Sequence, residues 1–434
     1  MSGPFIGLFG FAAALVLILL RVPVGIAMGV VGVGGFAFVT SWRRTEFILG
    51  IAPFEAVFPY SLSVVPLFVM MGAFAARAGL SKSLYDAVNA FIGHARGGLA
   101  MATIGACAAF GAVCGSSLAT VATMGRVAMP EMRRHGYHDR LAAASVAAGG
   151  TLGVLIPPSI ILVIYGLLTE TSIGGLFMAA LIPGLLGTLL YILAIYIETR
   201  INPELGPGAP RQDWPARMRA LSKVWAVGLL FFLVIGGIYL GWFSPTEAAA
   251  VGAFGAFAFA LLQGRMTGGV FIECTIETVR TTGMIFLILI GAALFNYFIE
   301  ISGLPRLLVG SIQEMGLSPF TVLLVIMLFY VVLGCFMDAL SMILLTVPFV
   351  FPVVSAMGFD PIWFGILLVT VAEIGLITPP VGMNLFVIQG VAPGLRQATV
   401  IRGILPFFAA DMVRLGLLLA FPAIVLWLPM RMAG

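Results

Sequence analysis

The chain has 434 residues, of which 61% are apolar and only 9% charged, with 53 Gly, 25 Pro and a net charge of +4. Soluble domains carry roughly 25% charged residues, so this composition excludes a water-soluble enzyme, a disordered chain and a disulfide scaffold. The sequence shows no period-2 alternation, which argues against an outer-membrane barrel, and its basic residues are dispersed over short loops, so nucleic acid is not an expected partner.

Read in chain order, apolar stretches near 5–20, 22–40, 63–78, 173–199, 223–243, 246–263, 281–299 and 403–428 fit spans, each close to the 20 or so residues a bilayer helix needs. Phe5–Leu20 lacks a basic flank and a small-residue cleavage site, so it reads as a first span rather than a removed leader. Segments 47–60 and 80–93 are shorter and more polar and read as interfacial helices. The Pro-rich linker Arg200–Lys223 divides the chain into halves. The chain is therefore an all-α polytopic protein whose surrounding solvent is a lipid bilayer. Its four Cys (Cys107, Cys114, Cys274, Cys335) have no ligand spacing and read as core residues, and its three His as solvated groups.

Two intervals do not fit plain spans. Residues 98–129 are apolar but interrupted at Gly111-Ala-Val-Cys-Gly-Ser-Ser117, giving two arms too short to cross. They predict a re-entrant hairpin with its tip at Gly115–Ser117. The following piece pairs Gly149-Gly150 with Pro157-Pro158, the signature of a discontinuous helix. Such a break at membrane depth is tolerated only inside protein or beside a cavity. Adding 222 to these numbers carries Pro130 to Pro352, Gly136 to Gly358, Gly153 to Gly375, Pro157–Pro158 to Pro379–Pro380 and Ser116 to Asp338. A second hairpin and broken helix are thus expected in an internal duplication.

The base of the first hairpin carries Arg133, Arg134 and Arg140, whereas Val353–Ile362 has no basic residue. The positive-inside rule places the first base in the cytoplasm and the second outside, with 16 of the 22 Lys and Arg cytoplasmic, both chain ends outside, and Arg43–Arg44 as the main exception. An inverted repeat with two hairpins and two broken helices is the plan of a secondary transporter. Half-helix N-termini there suit a carboxylate, and unwound carbonyls suit an alkali cation.

Several side chains have competing readings. Ser116, Ser117, Thr120 and Thr123 either bond their own helix or serve the tip. Asp338, costly at that depth, is either functional or a helix cap. Glu373 either makes a structural hydrogen bond or carries a proton. Arg126 either meets an anion or snorkels and pairs with Glu131, and Asn384 either lines the site or joins helices.

The stretches Pro66–Gly72, Phe110–Gly125, Met129–Met132, Ala148–Ser159, Gly358–Pro361 and Gly375–Phe386 resemble the large membrane subunit of tripartite ATP-independent periplasmic (TRAP) transporters. The resemblance covers nearly the whole chain. It implies an elevator-type carrier in the bacterial inner membrane that imports organic acids with sodium as coupling ion. It also implies two partners: a periplasmic binding protein, and a small four-helix membrane subunit expected as a separate chain. Carried over, one sodium lies between Gly111, Gly115 and Ser116 on one side and Gly153, Ile156 and Pro158 on the other. A second lies between Gly334 and Asp338 and the group Gly375, Thr378 and Val381. Substrate is expected near Ser116, Ser117, Thr120, Ser159, Asp338 and Asn384.

The implied organisation is a scaffold over 1–96, a first hairpin and broken helix over 97–169, and connecting and scaffold helices over 170–300. A second hairpin and broken helix follow over 301–390, then a C-terminal helix over 391–434. The competing expectation is a stand-alone sodium/dicarboxylate carrier that needs no binding protein. An intramembrane hydrolase is disfavoured, since no H-E-x-x-H occurs.

Overall fold

The computed structural model describes residues 3–432, and all regular structure among them is helical. The chain ends, expected on the outer face, lie outside the described residues. The first half comprises α1 (Gly3–Leu19), α2 (Val24–Val39), α3 (Trp42–Val57), α4 (Val64–Arg77), α5 (Leu80–Ile92), α6 (Gly98–Cys114), α7 (Ser117–Arg134), α8 (Asp139–Leu155), α9 (Ile160–Leu168) and α10 (Ile173–Ile201). The linker holds α11 (Trp214–Ser222), and α12 (Trp225–Phe231) runs through a π segment into α13 (Gly237–Tyr239). The second half follows as α14 (Pro245–Leu262), α15 (Gly268–Ser302), α16 (Leu304–Glu314), α17 (Pro319–Gly334), α18 (Ala339–Ala356), α19 (Pro361–Ile377), α20 (Met383–Val391), α21 (Gln397–Ala420) and α22 (Ala423–Met432).

Among the described residues, six helices are long and apolar enough to cross a membrane, or up to eight if each of two bent pairs counts as one span. Two expected spans are redrawn. The stretch 281–299 is the second part of a single 35-residue helix, α15, because Glu273, Glu277 and Arg280 make its first turns read as polar without interrupting them. The stretch 403–428 breaks at Phe421–Pro422 between α21 and α22, since Pro422 has no N–H to continue the ladder.

Two sets of packed helices emerge. In one, α15 lies along α2, with α1, α3 and α4 against it and α14 against α4. The approach of α2 and α15 is close enough that a Cβ at Gly32 would sit 2.5 Å from the backbone nitrogen of Phe295, the small-residue contact that lets membrane helices touch. In the other set, α6, α7 and α8 pack together, α17 and α18 pack on α19, and α10 and α21 bind both groups through α8 and α19.

The repeat is inverted in space as well as in sequence. α8 starts at the base of the first hairpin, and α9 ends where the Tyr165 hydroxyl donates to the carbonyl of Pro361 (2.7 Å), at the base of the second. Conversely, α19 starts at that second base. α20 ends beside Pro393, whose carbonyl accepts from Arg133 (3.4 Å) at the base of the first. The two hairpins thus enter from opposite ends of the molecule.

The polar linker is docked rather than free. Gly97 N–H donates to Gly206 (2.8 Å), His138 to Leu205 (3.1 Å) and Ala209 to Gly93 (3.0 Å), seating it on the first hairpin's base. There Arg133 grips Asp139 through two bonds (2.8 and 3.1 Å), and Arg140 pairs with Glu198 (2.8 Å).

Candidate functional site

The four predicted interruptions fall where the sequence placed them. α6 stops at Gly115, whose φ of +64° is open to glycine without strain, and Ser116 turns extended and caps α7 by accepting from Ala119 N–H (3.4 Å). In the second hairpin Asp338 takes the same station, accepting from the Ser341 amide (3.0 Å) and hydroxyl (2.5 Å) to cap α18. The residues related by 222 therefore perform the same local task.

The broken helices end at Leu155 and Ile377. Pro157 and Pro158 lack amide hydrogens, so the carbonyls of Gly153 and Val154 lose their helical donors. Pro379 and Pro380 do the same to Gly375 and Leu376, although Thr378 N–H recovers Gly375 at 3.1 Å. Ile156, Pro158 and Val381 lie in these unwound stretches, and Ser159 caps α9 (Leu162 N–H to Oγ, 3.4 Å). Each hairpin touches its broken helix through a pair of glycines. A Cβ at Gly111 would collide with the Cα of Gly153, and one at Gly375 would meet the Cα of Gly334 at 2.5 Å.

That fit sets a stability prediction. Gly375→Ala is expected to push two backbones apart at about 1–3 kcal/mol, lowering the thermal midpoint of the detergent-purified protein. Gly390→Ala on α20, where a Cβ would meet nothing within 4 Å, should leave it unchanged. Equal midpoints for the two variants would refute the close contact.

Both tips open into one cavity of about 240 Å³, lined by Ser116, Ser117 and Thr123 of the first hairpin, Asp338 of the second, and Glu277 and Thr281 of α15. The N-termini of α7 and α18 thus bring unpaired N–H groups and partial positive charge to it. Its lining continues along α7 to Thr123 but along α18 only to Leu340, so it extends toward the first hairpin's base.

Of the residues expected near substrate, Ser116, Ser117 and Asp338 line this cavity, whereas Thr120, Ser159 and Asn384 do not. Thr120 is buried and donates to Ser116 O (2.7 Å). Asn384, also buried, exchanges hydrogen bonds with Ser117 (2.8–2.9 Å) and donates to Ala147 O (2.9 Å), joining the second broken helix to the first hairpin. Thr378 donates its hydroxyl to Ile374 O (2.5 Å). Arg126 donates to its own helix at Ala122 O (3.1 Å), while Glu131 faces His135 instead. All four cysteines are free and buried.

The sequence reading missed an ionic cluster with no exposed atom. Arg414 Nη2 bridges Glu373 (2.7 Å) and Asp411 (2.9 Å), and the Tyr191 hydroxyl donates to Asp411 (2.6 Å). Of the two readings of Glu373, the structure displays the structural hydrogen bond, donated by Arg414.

Comparison with known proteins now decides the family. The family model "Tripartite ATP-independent periplasmic transporter, DctM component" matches residues 11–424. The chain belongs to this family. It is 40% identical over 385 residues to the C4-dicarboxylate TRAP transporter large permease protein DctM of Pseudomonas aeruginosa, covering 88% of this chain and 89% of that one. It is 35% identical over 377 residues to the sialic acid large permease SiaM of Vibrio cholerae, covering 86% and 87%. With the isethionate permease DctMQ of Oleidesulfovibrio alaskensis it shares 33% identity over 428 residues, covering 98% of this chain but 66% of that longer protein. Among solved structures, the Alcanivorax borkumensis YdaH transporter has the same fold, with a TM-score of 0.64 at 18% identity over 88% of this chain and 89% of that one. As a DctM-family permease, the chain is a multi-pass inner-membrane transporter component and not an enzyme.

Proposed function

We propose that this permease imports a small organic acid, a C4-dicarboxylate or similar carboxylate, driven by sodium. The single observation that carries the reading is the convergence of two capped hairpin tips on one cavity, each tip back to back with a Pro-Pro break. Helix N-termini favour the substrate carboxylate, and carbonyls without helical donors favour a weakly held alkali ion over a transition metal. One sodium is assigned to Gly111, Gly115 and Ser116 with Gly153, Ile156 and Pro158. A second is assigned to Gly334 and Asp338 with Gly375, Thr378 and Val381.

The two packed sets support an elevator motion. The hairpin-bearing set slides as an elevator against α2, α3, α4 and α15, of which α4 and α15 supply the cavity's other wall. In this reading a periplasmic binding protein delivers substrate and the small membrane subunit braces the static set. The family's tripartite description and the longer relative whose name joins M and Q support both partners.

The test is uptake of a labelled C4-dicarboxylate by proteoliposomes holding permease, small subunit and binding protein. An inward sodium gradient is expected to drive accumulation, and equimolar potassium is not. Equal uptake in both salts would sink the sodium assignment. Uptake without the binding protein would favour a stand-alone carrier.

A further inference from the structure

A second cavity, of about 280 Å³, lies among Glu55 and Pro59 ahead of α4, Leu168 at the end of α9, Asn296 of α15, and Leu344 and Pro348 of α18. It is the first cavity's mate under the duplication. Adding 222 carries Glu55 to Glu277, Pro59 to Thr281 and Leu62 to Met284, and all six residues line one cavity or the other. The hairpin arm α7 walls the first and its repeat equivalent α18 walls the second. The first cavity extends toward the base of hairpin one. The second, beside the end of α9, lies toward the base of hairpin two. Each half of the pathway thus carries one glutamate, Glu55 on α3 and Glu277 on α15, rather than on the hairpins.

Neither glutamate has a basic partner among the described residues. Glu55 accepts only from the Tyr297 hydroxyl (3.2 Å). No Lys, Arg or His lines either cavity, and Arg126, on the next turn of α7 after Thr123, is engaged with Ala122 O. Both glutamates are exposed, and a carboxylate at the edge of a cleft with otherwise apolar walls raises the local cation concentration there. In the first cavity Glu277 adds to Asp338, so a substrate anion entering alone would meet two like charges.

We propose that Glu277 and Glu55 are matched cation-collecting groups, one for each face, that concentrate a monovalent cation in the half-cavity before the anionic substrate binds. The inference rests on the sodium-coupled reading above. Because both glutamates sit on the static set, each keeps its own face while the hairpins move. The cation therefore binds first on either side, and the substrate follows into a neutralised cavity.

The experiment is thermal denaturation of the full-length purified protein against sodium chloride, with choline chloride holding ionic strength constant. The tips are open to Glu277's cavity, so Glu277→Gln is expected to raise the sodium concentration for half-maximal stabilisation by roughly threefold to tenfold. Glu277→Asp should keep the wild-type value. Glu55→Gln, on the other face, should leave it unmoved. Wild-type sodium dependence in Glu277→Gln, or an equal shift in Glu55→Gln, would overturn the proposal. A wild-type protein that sodium does not stabilise would instead remove the sodium-coupled reading, and this inference with it.

Discussion

Arg414→Ala is expected to cost the folded permease about 3–5 kcal/mol, the range for removing one partner of a buried ion pair. Arg414 and both its carboxylate partners have no exposed surface. The guanidinium is the cation the structure places between Glu373 and Asp411, and Tyr191 supports the latter through a 2.6 Å bond. Thr151 of α8 lies 3.3 Å from the same hydroxyl, so one cluster ties α8, α10, α19 and α21. Gly187 is part of the design, since a Cβ there would collide with Arg414 Nη1. Truncation leaves two carboxylates facing each other without a counter-charge. Lys is not expected to rescue, because a point ammonium does not reproduce the planar fork.

The discriminating variant combines Arg414→Ala with Glu373→Gln and Asp411→Asn, which removes the uncompensated charge and should recover much of the loss. Yield of monodisperse protein and its thermal midpoint report both. A wild-type midpoint for Arg414→Ala alone would show that the cluster is not held by this charge.

That cluster also marks where sequence reading stops. The hairpins and breaks were legible because Gly115, Pro157–Pro158 and Pro379–Pro380 are covalent punctuation: they remove amide hydrogens or permit φ values other residues resist. The offset of 222 doubled the Pro-Pro signal, although it carries Gly115 to Met337. The cluster has no such signature, since Tyr191, Glu373 and Asp411 are far apart in sequence and meet only through helix packing. The same reason leaves Thr120, Ser159 and Asn384 off the lining of the tip cavity. Sequence put hydroxyls and an amide close to the breaks, but which face of a short half-helix turns to the cavity depends on its neighbours. The pairing of Glu55 with Glu277 stood in the sequence all along, at the known offset. It carried no meaning until two cavities on opposite sides were found to hold one each.

Asp338→Asn is expected to abolish sodium-driven uptake while leaving the protein folded. The residue has two separable tasks. As the cap of α18 it accepts from Ser341, and Asn caps a helix about as well as Asp, so the thermal midpoint in potassium should stay within about 0.5 kcal/mol of wild type. As a carboxylate on the cavity wall it is assigned to a sodium site. A cation held about 4 Å from a unit negative charge gains about 4 kcal/mol at an effective dielectric of 20, so losing the charge should weaken sodium binding on the order of several hundredfold. Asp338→Ala removes both tasks and should lose uptake and about 1 kcal/mol of stability together. The pair of variants separates the readings. If Asn restores transport while Ala does not, Asp338 is only a cap and the second sodium must rely on the carbonyls of the break. If both are silent in uptake and Asn alone keeps its stability, the charge itself is what the tip contributes. Ser116, the residue that occupies this station in the first hairpin, carries no carboxylate, so the two ends of the repeat differ by one formal charge.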